Sequence, residues 1–124
     1  MTGSEHDHER LAAWRADRAA MNERILGAGH LGLKRFFALD DQAYADGALD
    51  ARTKELLGLV ASLVLRCDDC VTYHLDRVVA LGVSRAEAIE ALNVGLVVGG
   101  SIVIPHLRRA FATLDALLEE RAGS

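Results

Sequence analysis

The sequence is poor in the residues that build strands, sharp corners and basic surfaces. Among its 124 residues there is a single proline, and aromatic residues make up only 5%. Its apolar content is mostly alanine, leucine and valine, a composition that favours helices. A formal net charge of −4 and a pI near 5.7 exclude an electrostatic nucleic-acid binder, which needs a basic face. We therefore expect an all-α protein without a nucleic-acid partner.

Long apolar runs are also missing. The run at residues 56–65 is about half as long as the roughly 20 residues that a membrane span needs, and the run at 92–107 is broken by glycines and Pro105. Residues 1–10 are polar and do not resemble a signal peptide. The sequence thus predicts a cytoplasmic protein with no membrane contact. In that reducing compartment, two cysteines three positions apart indicate catalysis or metal binding more than a permanent cross-link.

Apolar periodicity and capping signals predict six helices and no strand. Asp50 is a candidate N-cap for the third helix, Ser84 opens the fifth with a capping box, and Gly82 follows the fourth where a left-handed residue is favoured. We expect one domain over residues 9–122, preceded by a mobile tail at residues 1–8. The predicted helices cover residues 9–26, 33–45, 51–65, 68–81 and 85–98, with a sixth whose first turn holds Pro105.

The third and fifth predicted helices carry apolar residues on nearly every side. A 124-residue domain cannot enclose two such helices completely, so part of this surface is expected to meet another subunit. The alternative is that thin, alanine-rich helices pack closely in a monomer. The pattern favours a homo-oligomer.

Cys67, Cys70 and His74 form the main chemical signal of the sequence. On a helix they lie at positions i, i+3 and i+7 and share one face at its N-terminal end. The sulfurs can close a disulfide if Cys67 lies at the helix entry, the helix dipole favours a thiolate, and His74 can exchange a proton with Cys70. Asp68 and Asp69 oppose this effect, since nearby negative charge raises the pKa of a thiol. The pattern indicates a redox-active dithiol.

The cysteine pair has two other interpretations. The cysteines could be small buried apolar residues with a structural role. They could also bind zinc, but zinc prefers four ligands, and only His74 and a carboxylate accompany the pair. We therefore expect no metal and no cofactor.

Glu55 is a further candidate, at the edge of the apolar run before the cysteines. Burial there would raise its pKa toward neutrality and suit it to pass protons to and from a thiol. The alternative is a solvated Lys54–Glu55 pair in an early helical turn. His106, near a helix start, could line either the site or a subunit interface.

The register of Glu55, Cys67, Cys70 and His74 resembles the alkylhydroperoxidase D-like branch of the carboxymuconolactone decarboxylase family. The resemblance spans residues 50–117 and includes LDARTKELLGLVASLVLRCDDCVTYH and ALNVGLVVGGSIVIPH. It implies an all-helical fold assembled as trimers or hexamers, with thiol-dependent peroxidase or disulfide-reductase activity. In that family Cys70 corresponds to the residue that attacks peroxide and Cys67 to the one that resolves it. Glu55 and His74 would relay protons, and an external dithiol would restore the enzyme.

Two features of the resemblance bear on which activity is expected. Alkylhydroperoxidase D itself has a histidine directly before the second cysteine, where this chain has Asp69. This difference keeps two alternatives open, a disulfide reductase or adaptor and a redox-sensing helical oligomer with little peroxide turnover. The decarboxylase branch lacks the C-x-x-C pair, which makes lactone decarboxylation the least favoured activity.

Overall fold

The structure, a computed structural model, describes residues 4–123. Within them the chain forms six α-helices and one turn of 3₁₀ helix at Ser101–Val103, and no strand. The prediction of an all-α fold with six helices is confirmed. The helices are α1 (Glu5–Leu26), α2 (Leu31–Ala43), α3 (Ala51–Val64), α4 (Asp68–Ala80), α5 (Arg85–Gly99) and α6 (Ile104–Gly123). None of these helices is both long enough and apolar enough to cross a bilayer.

Local sequence signals set most of the helix ends. The Asp50 carboxylate accepts the Thr53 N–H at the start of α3, as predicted. Ser84 and Glu87 exchange both hydrogen bonds of the capping box at the start of α5. Gly82, which follows the C-cap Leu81 of α4, has a φ of 86°, in the left-handed region that glycine adopts without steric cost. These three predictions are confirmed.

The first helix begins earlier than the sequence predicts. α1 already begins at the fifth residue, because the Ser4 hydroxyl accepts the Asp7 N–H and the Asp7 carboxylate accepts the Ser4 N–H. One helical turn later, His8 Nε2 lies 2.6 Å from Glu119 Oε1 of α6. The predicted start of the first helix at residue 9 is therefore four residues too late. The prediction of a mobile tail over residues 1–8 stays a prediction, and residues 1–3 lie outside the described chain.

The core lies among α3, α4, α5 and α6. α1 contributes only Leu11 to it and α2 contributes no buried residue. The second half of α1 and all of α2 thus extend beyond the core with apolar side chains exposed, such as Met21 and Phe36. The buried apolar residues are Leu11, Leu59, Leu63, Val71, Leu75, Val78, Val79, Val83, Ala88, Leu92, Val103, Ala110, Leu114, Ala116 and Leu117.

The turn between α3 and α4 positions the first cysteine. The Cys67 N–H donates to Ser62 O and the Arg66 N–H donates to Leu63 O, each at 3.0 Å, which is the Schellman pattern of a helix C-terminus. Arg66 occupies the left-handed position with a φ of 60°, although it is not glycine. Cys67 is therefore both the residue that closes α3 and the N-cap of α4, so its backbone is fixed from two sides.

Replacing Arg66 with glycine is expected to stabilise the fold. A side chain in the left-handed region costs roughly 1–2 kcal/mol, and the greater backbone freedom of glycine when unfolded offsets part of the gain. We expect the free energy of unfolding to rise by about 0.5–1 kcal/mol. The measurement is urea denaturation followed by circular dichroism. The matched control is Gly82→Ala at the equivalent turn after α4, which is expected to destabilise the protein; a loss of stability in Arg66→Gly would contradict this account.

Candidate active site

The dithiol lies at the first turn of α4. Cys67 and Cys70 are joined by a disulfide, and Cys67 Sγ accepts the Cys70 backbone N–H at 3.3 Å. Cys67 is half-buried, whereas Cys70 is exposed. The predicted placement of Cys67 at the helix entry is found. Because the free N–H groups of a helix start favour negative charge, this turn of the chain favours a thiolate.

Glu55 and His74 form a buried pair one helical turn behind Cys70. His74 Nδ1 lies 2.8 Å from Glu55 Oε1, and the two residues are 7% and 3% exposed. Glu55 does not form the solvated pair with Lys54 that the sequence left open, because the Lys54 ammonium donates to Ala45 O. Since Nδ1 is engaged with a carboxylate, Nε2 is the ring nitrogen left to exchange a proton with a reacting group.

Three neighbours fix the orientation of the His74 ring. A Cβ atom on Gly58 of α3 would lie 2.6 Å from His74 Cε1 and 2.8 Å from Nε2, so only glycine leaves room for the ring. The rings of Tyr44 and Tyr73 flank His74, with centroids 5.3 and 5.1 Å from it. The imidazole is thus held by one hydrogen bond and by contacts on several sides.

The carboxylate of Glu55 also borders a cavity of about 300 Å³. Glu55 Oε2 faces Arg77 Nε across 3.8 Å, and both tyrosines line the same space. Burial raises the pKa of Tyr44 and of Tyr73, and the negative charge of Glu55 adds to this in both cases. The phenols therefore stay protonated at neutral pH and are able to donate a hydrogen bond but not to act as bases.

The two aspartates between the cysteines are engaged by distant parts of the chain. Asp68 Oδ1 lies 2.8 Å from His106 Nδ1, and Asp68 Oδ2 accepts the Arg109 Nε–H at 2.8 Å. The Trp14 indole N–H of α1 donates to Asp69 Oδ1 at 2.6 Å. His106 thus lies beside the site. Within residues 4–123, no group of three or more His, Cys, Asp or Glu side chains is arranged to hold a metal ion.

Sequence reasoning missed several residues of this site. Trp14 and Arg109 contact the dithiol turn from 55 and 41 positions away, and no local pattern indicates such contacts. Gly58 could have been noticed, because it is a glycine in the middle of a predicted helix, and such a glycine often marks a close packing contact. Tyr44 carries no signal in the sequence, because it lies at the end of α2 and its contact with His74 depends on how the helices pack.

Comparison with known proteins gives a consistent family assignment. The sequence model of the carboxymuconolactone decarboxylase family matches residues 32–113. Two curated proteins are each 32% identical to the chain. For uncharacterized protein 4 in the cox locus of Paracoccus denitrificans, the match covers 66% of this chain and 74% of that protein. For uncharacterized protein H16_B0147 of Cupriavidus necator, it covers 60% of this chain and 66% of that protein.

Solved structures extend this likeness to nearly the whole chain. Protein TM1620 of Thermotoga maritima is 54% identical, with a TM-score of 0.87, and the match covers 90% of this chain and 98% of that one. TM1620 is described as a family member with a suggested role in an antioxidative response. Apo-lpg0406 of Legionella pneumophila, a protein of the same family, is 28% identical over 90% and 96% of the chains, with a TM-score of 0.75. The chain belongs to the carboxymuconolactone decarboxylase family.

Proposed function

We propose that this protein is a thiol-dependent peroxidase that cycles Cys67 and Cys70 between dithiol and disulfide and has an antioxidant role. The observation that carries the proposal is the disulfide at the entry of α4, with the buried His74–Glu55 pair one turn behind it. The suggested antioxidative role of TM1620 agrees with this activity.

The different surroundings of the two sulfurs support different roles. Cys70 is exposed and lies one helical turn from His74, so a peroxide can reach it and a base lies nearby. Cys67 is half-buried and its sulfur faces the Cys70 N–H. We therefore assign attack on peroxide to Cys70 and disulfide closure to Cys67.

The proposed cycle balances as two half-reactions. The Cys70 thiolate attacks one oxygen of the peroxide; the O–O bond breaks, Cys70 becomes a sulfenic acid, and the other oxygen leaves as alcohol or water after taking a proton. Cys67 then attacks the Cys70 sulfur, water leaves, and the disulfide forms. An external dithiol reduces the disulfide by thiol–disulfide exchange, which places the cycle in a reducing compartment such as the cytoplasm.

His74 and Glu55 supply the proton transfers of this cycle. His74 Nε2 takes the proton of the Cys70 thiol and returns one to the leaving oxygen, while Glu55 holds the ring through Nδ1. Glu55 reaches the cavity beside Arg77, which offers protons a route to solvent.

The test compares two substrates with the same dithiol reductant. Reduced protein is mixed with cumene hydroperoxide or with a small-molecule disulfide, and reductant consumption is followed over many turnovers. We expect faster turnover with the peroxide. Turnover only with the disulfide would show a disulfide reductase, which Asp69 in place of histidine would explain. Oxidation without repeated turnover of either substrate would show a redox sensor.

We also propose that the protein is a homotrimer or homohexamer. An apolar groove of about 680 Å³ runs between α3 and α5, and large side chains beside it are exposed, including Leu57 and Val94. α2 contributes nothing to the core of its own chain. Light scattering is expected to give a mass of three or six chains, and Val98→Glu, within the groove, is expected to lower it. A monomeric mass for the unaltered protein would overturn this proposal.

A further inference from the structure

The first turn of α4 carries two acids, Asp68 and Asp69, in the same turn as Cys70. A carboxylate near a thiol disfavours the thiolate, and it also offsets the positive end of the helix dipole. Asp68 and Asp69 lie between the two cysteines in sequence, so their charges are the closest ones to Cys70 along the chain. A nucleophilic Cys70 needs these charges to be compensated.

Two residues of α6 offset the negative charge of Asp68. Arg109 Nε donates to one carboxylate oxygen at 2.8 Å, and His106 Nδ1 lies 2.8 Å from the other. Arg109 and His106 also contact each other, with the guanidinium nitrogen 3.2 Å from His106 Nδ1. Both oxygens of Asp68 are therefore engaged by a single helix that lies opposite the dithiol turn.

We propose that Arg109, supported by His106, is a positioning residue that neutralises Asp68 and so lets the start of α4 stabilise the Cys70 thiolate. The inference rests on the proposed role of Cys70 as nucleophile. Arg109 touches neither sulfur nor substrate in this role; it acts through Asp68. The charged and titratable groups around this turn lie on four helices and the turn before α4. They are Asp68, Asp69 and His74 of α4, Arg66 before it, Glu55 of α3, Asp17 and Arg18 of α1, and His106 and Arg109 of α6.

A purely structural role gives a different result. If the ion pair only fastens α6 to α4, its loss should lower the melting temperature and leave the ionisation of Cys70 unchanged. The electrostatic role predicts a change in ionisation that depends on Asp68. Arg109 is 56% and Asp68 43% exposed at the side chain, so the change is moderated by solvent.

The experiment measures the alkylation rate of Cys70 against pH in the reduced protein. All variants carry Cys67→Ser, which leaves Cys70 as the only thiol and keeps a side chain able to cap α4. We expect Arg109→Gln to move the pH midpoint of alkylation upward by roughly half a unit. Arg109→Lys keeps the positive charge, so it should leave the midpoint close to its original value. The control Arg108→Gln, at the exposed neighbouring arginine, should not move the midpoint.

Repeating the Arg109→Gln measurement in an Asp68→Asn background shows whether Arg109 acts through Asp68. Without the carboxylate the guanidinium is no longer held at the turn, so Arg109→Gln should then move the midpoint by less than half as much. An equal shift in both backgrounds, or no shift in the first, overturns the proposal. Alkylation requires no peroxide, so this result is independent of turnover: a shift without peroxidase activity would reject the proposed function and retain the role of Arg109.

Discussion

Replacing Cys70 with serine is expected to lower peroxide turnover on the order of 10³-fold or more, because the hydroxyl is far less nucleophilic than a thiolate. Serine is nearly the same size as cysteine and stays in the exposed first turn of α4, so the fold should be unaffected. The measurement is steady-state consumption of a dithiol reductant with cumene hydroperoxide, with circular dichroism to verify the fold.

Cys67→Ser is the matched control for this change. It keeps a side chain that can cap α4 and removes only the resolving sulfur. We expect this variant to reduce one equivalent of peroxide at close to the normal rate and then to turn over slowly, limited by the external thiol. If Cys67→Ser failed to reduce the first equivalent of peroxide while Cys70→Ser still reduced it, the roles of the two cysteines would be reversed.

The second large effect is expected at the buried pair. Glu55→Gln keeps the size of the side chain and a hydrogen bond to His74, but removes the negative charge that lies against Nδ1 of the imidazole. We expect turnover to fall on the order of 10²-fold, the usual contribution of a general acid–base group. Glu55 is 3% exposed, and its recorded partners, His74 and Arg77, both belong to the site. We therefore expect the loss of rate in the chemical step. The measurement is peroxide consumption in a single turnover.

Two further variants make this prediction specific. Glu90→Gln changes an exposed glutamate on α5 and should leave turnover unchanged. The double variant Glu55→Gln, His74→Gln should be no slower than the slower single variant, since residues that act as one unit are not additive. Additive losses, or normal turnover in Glu55→Gln, would show that the pair is structural.

The sequence predicted those features that depend on neighbouring residues. The Ser84 capping box and Gly82 after α4 follow from backbone chemistry within a few residues, and the structure has both. The same rules could have found the start of α1, since Ser4 and Asp7 have the spacing of a capping box with aspartate in place of glutamate. Helix ends were therefore predictable to within a few residues.

The long-range contacts were predictable only in part. Glu55 and His74 are 19 positions apart, and their pairing was suggested by their joint register with the cysteines and by the family resemblance. The contacts of Asp68 with α6 and of Asp69 with Trp14 depend on how helices pack, and helix periodicity alone does not determine that. These contacts changed the interpretation of the site, because the two acids expected to oppose a thiolate are both hydrogen-bonded.

The most direct test of the account identifies the sulfur that peroxide oxidises. Reduced Cys67→Ser protein is mixed with one equivalent of cumene hydroperoxide, treated with a reagent that labels sulfenic acids, and analysed by peptide mass spectrometry. The account predicts a stoichiometric label on Cys70 that forms at the rate of peroxide loss. An unlabelled Cys70, with peroxide left unconsumed, would contradict a peroxidase whose nucleophile is Cys70.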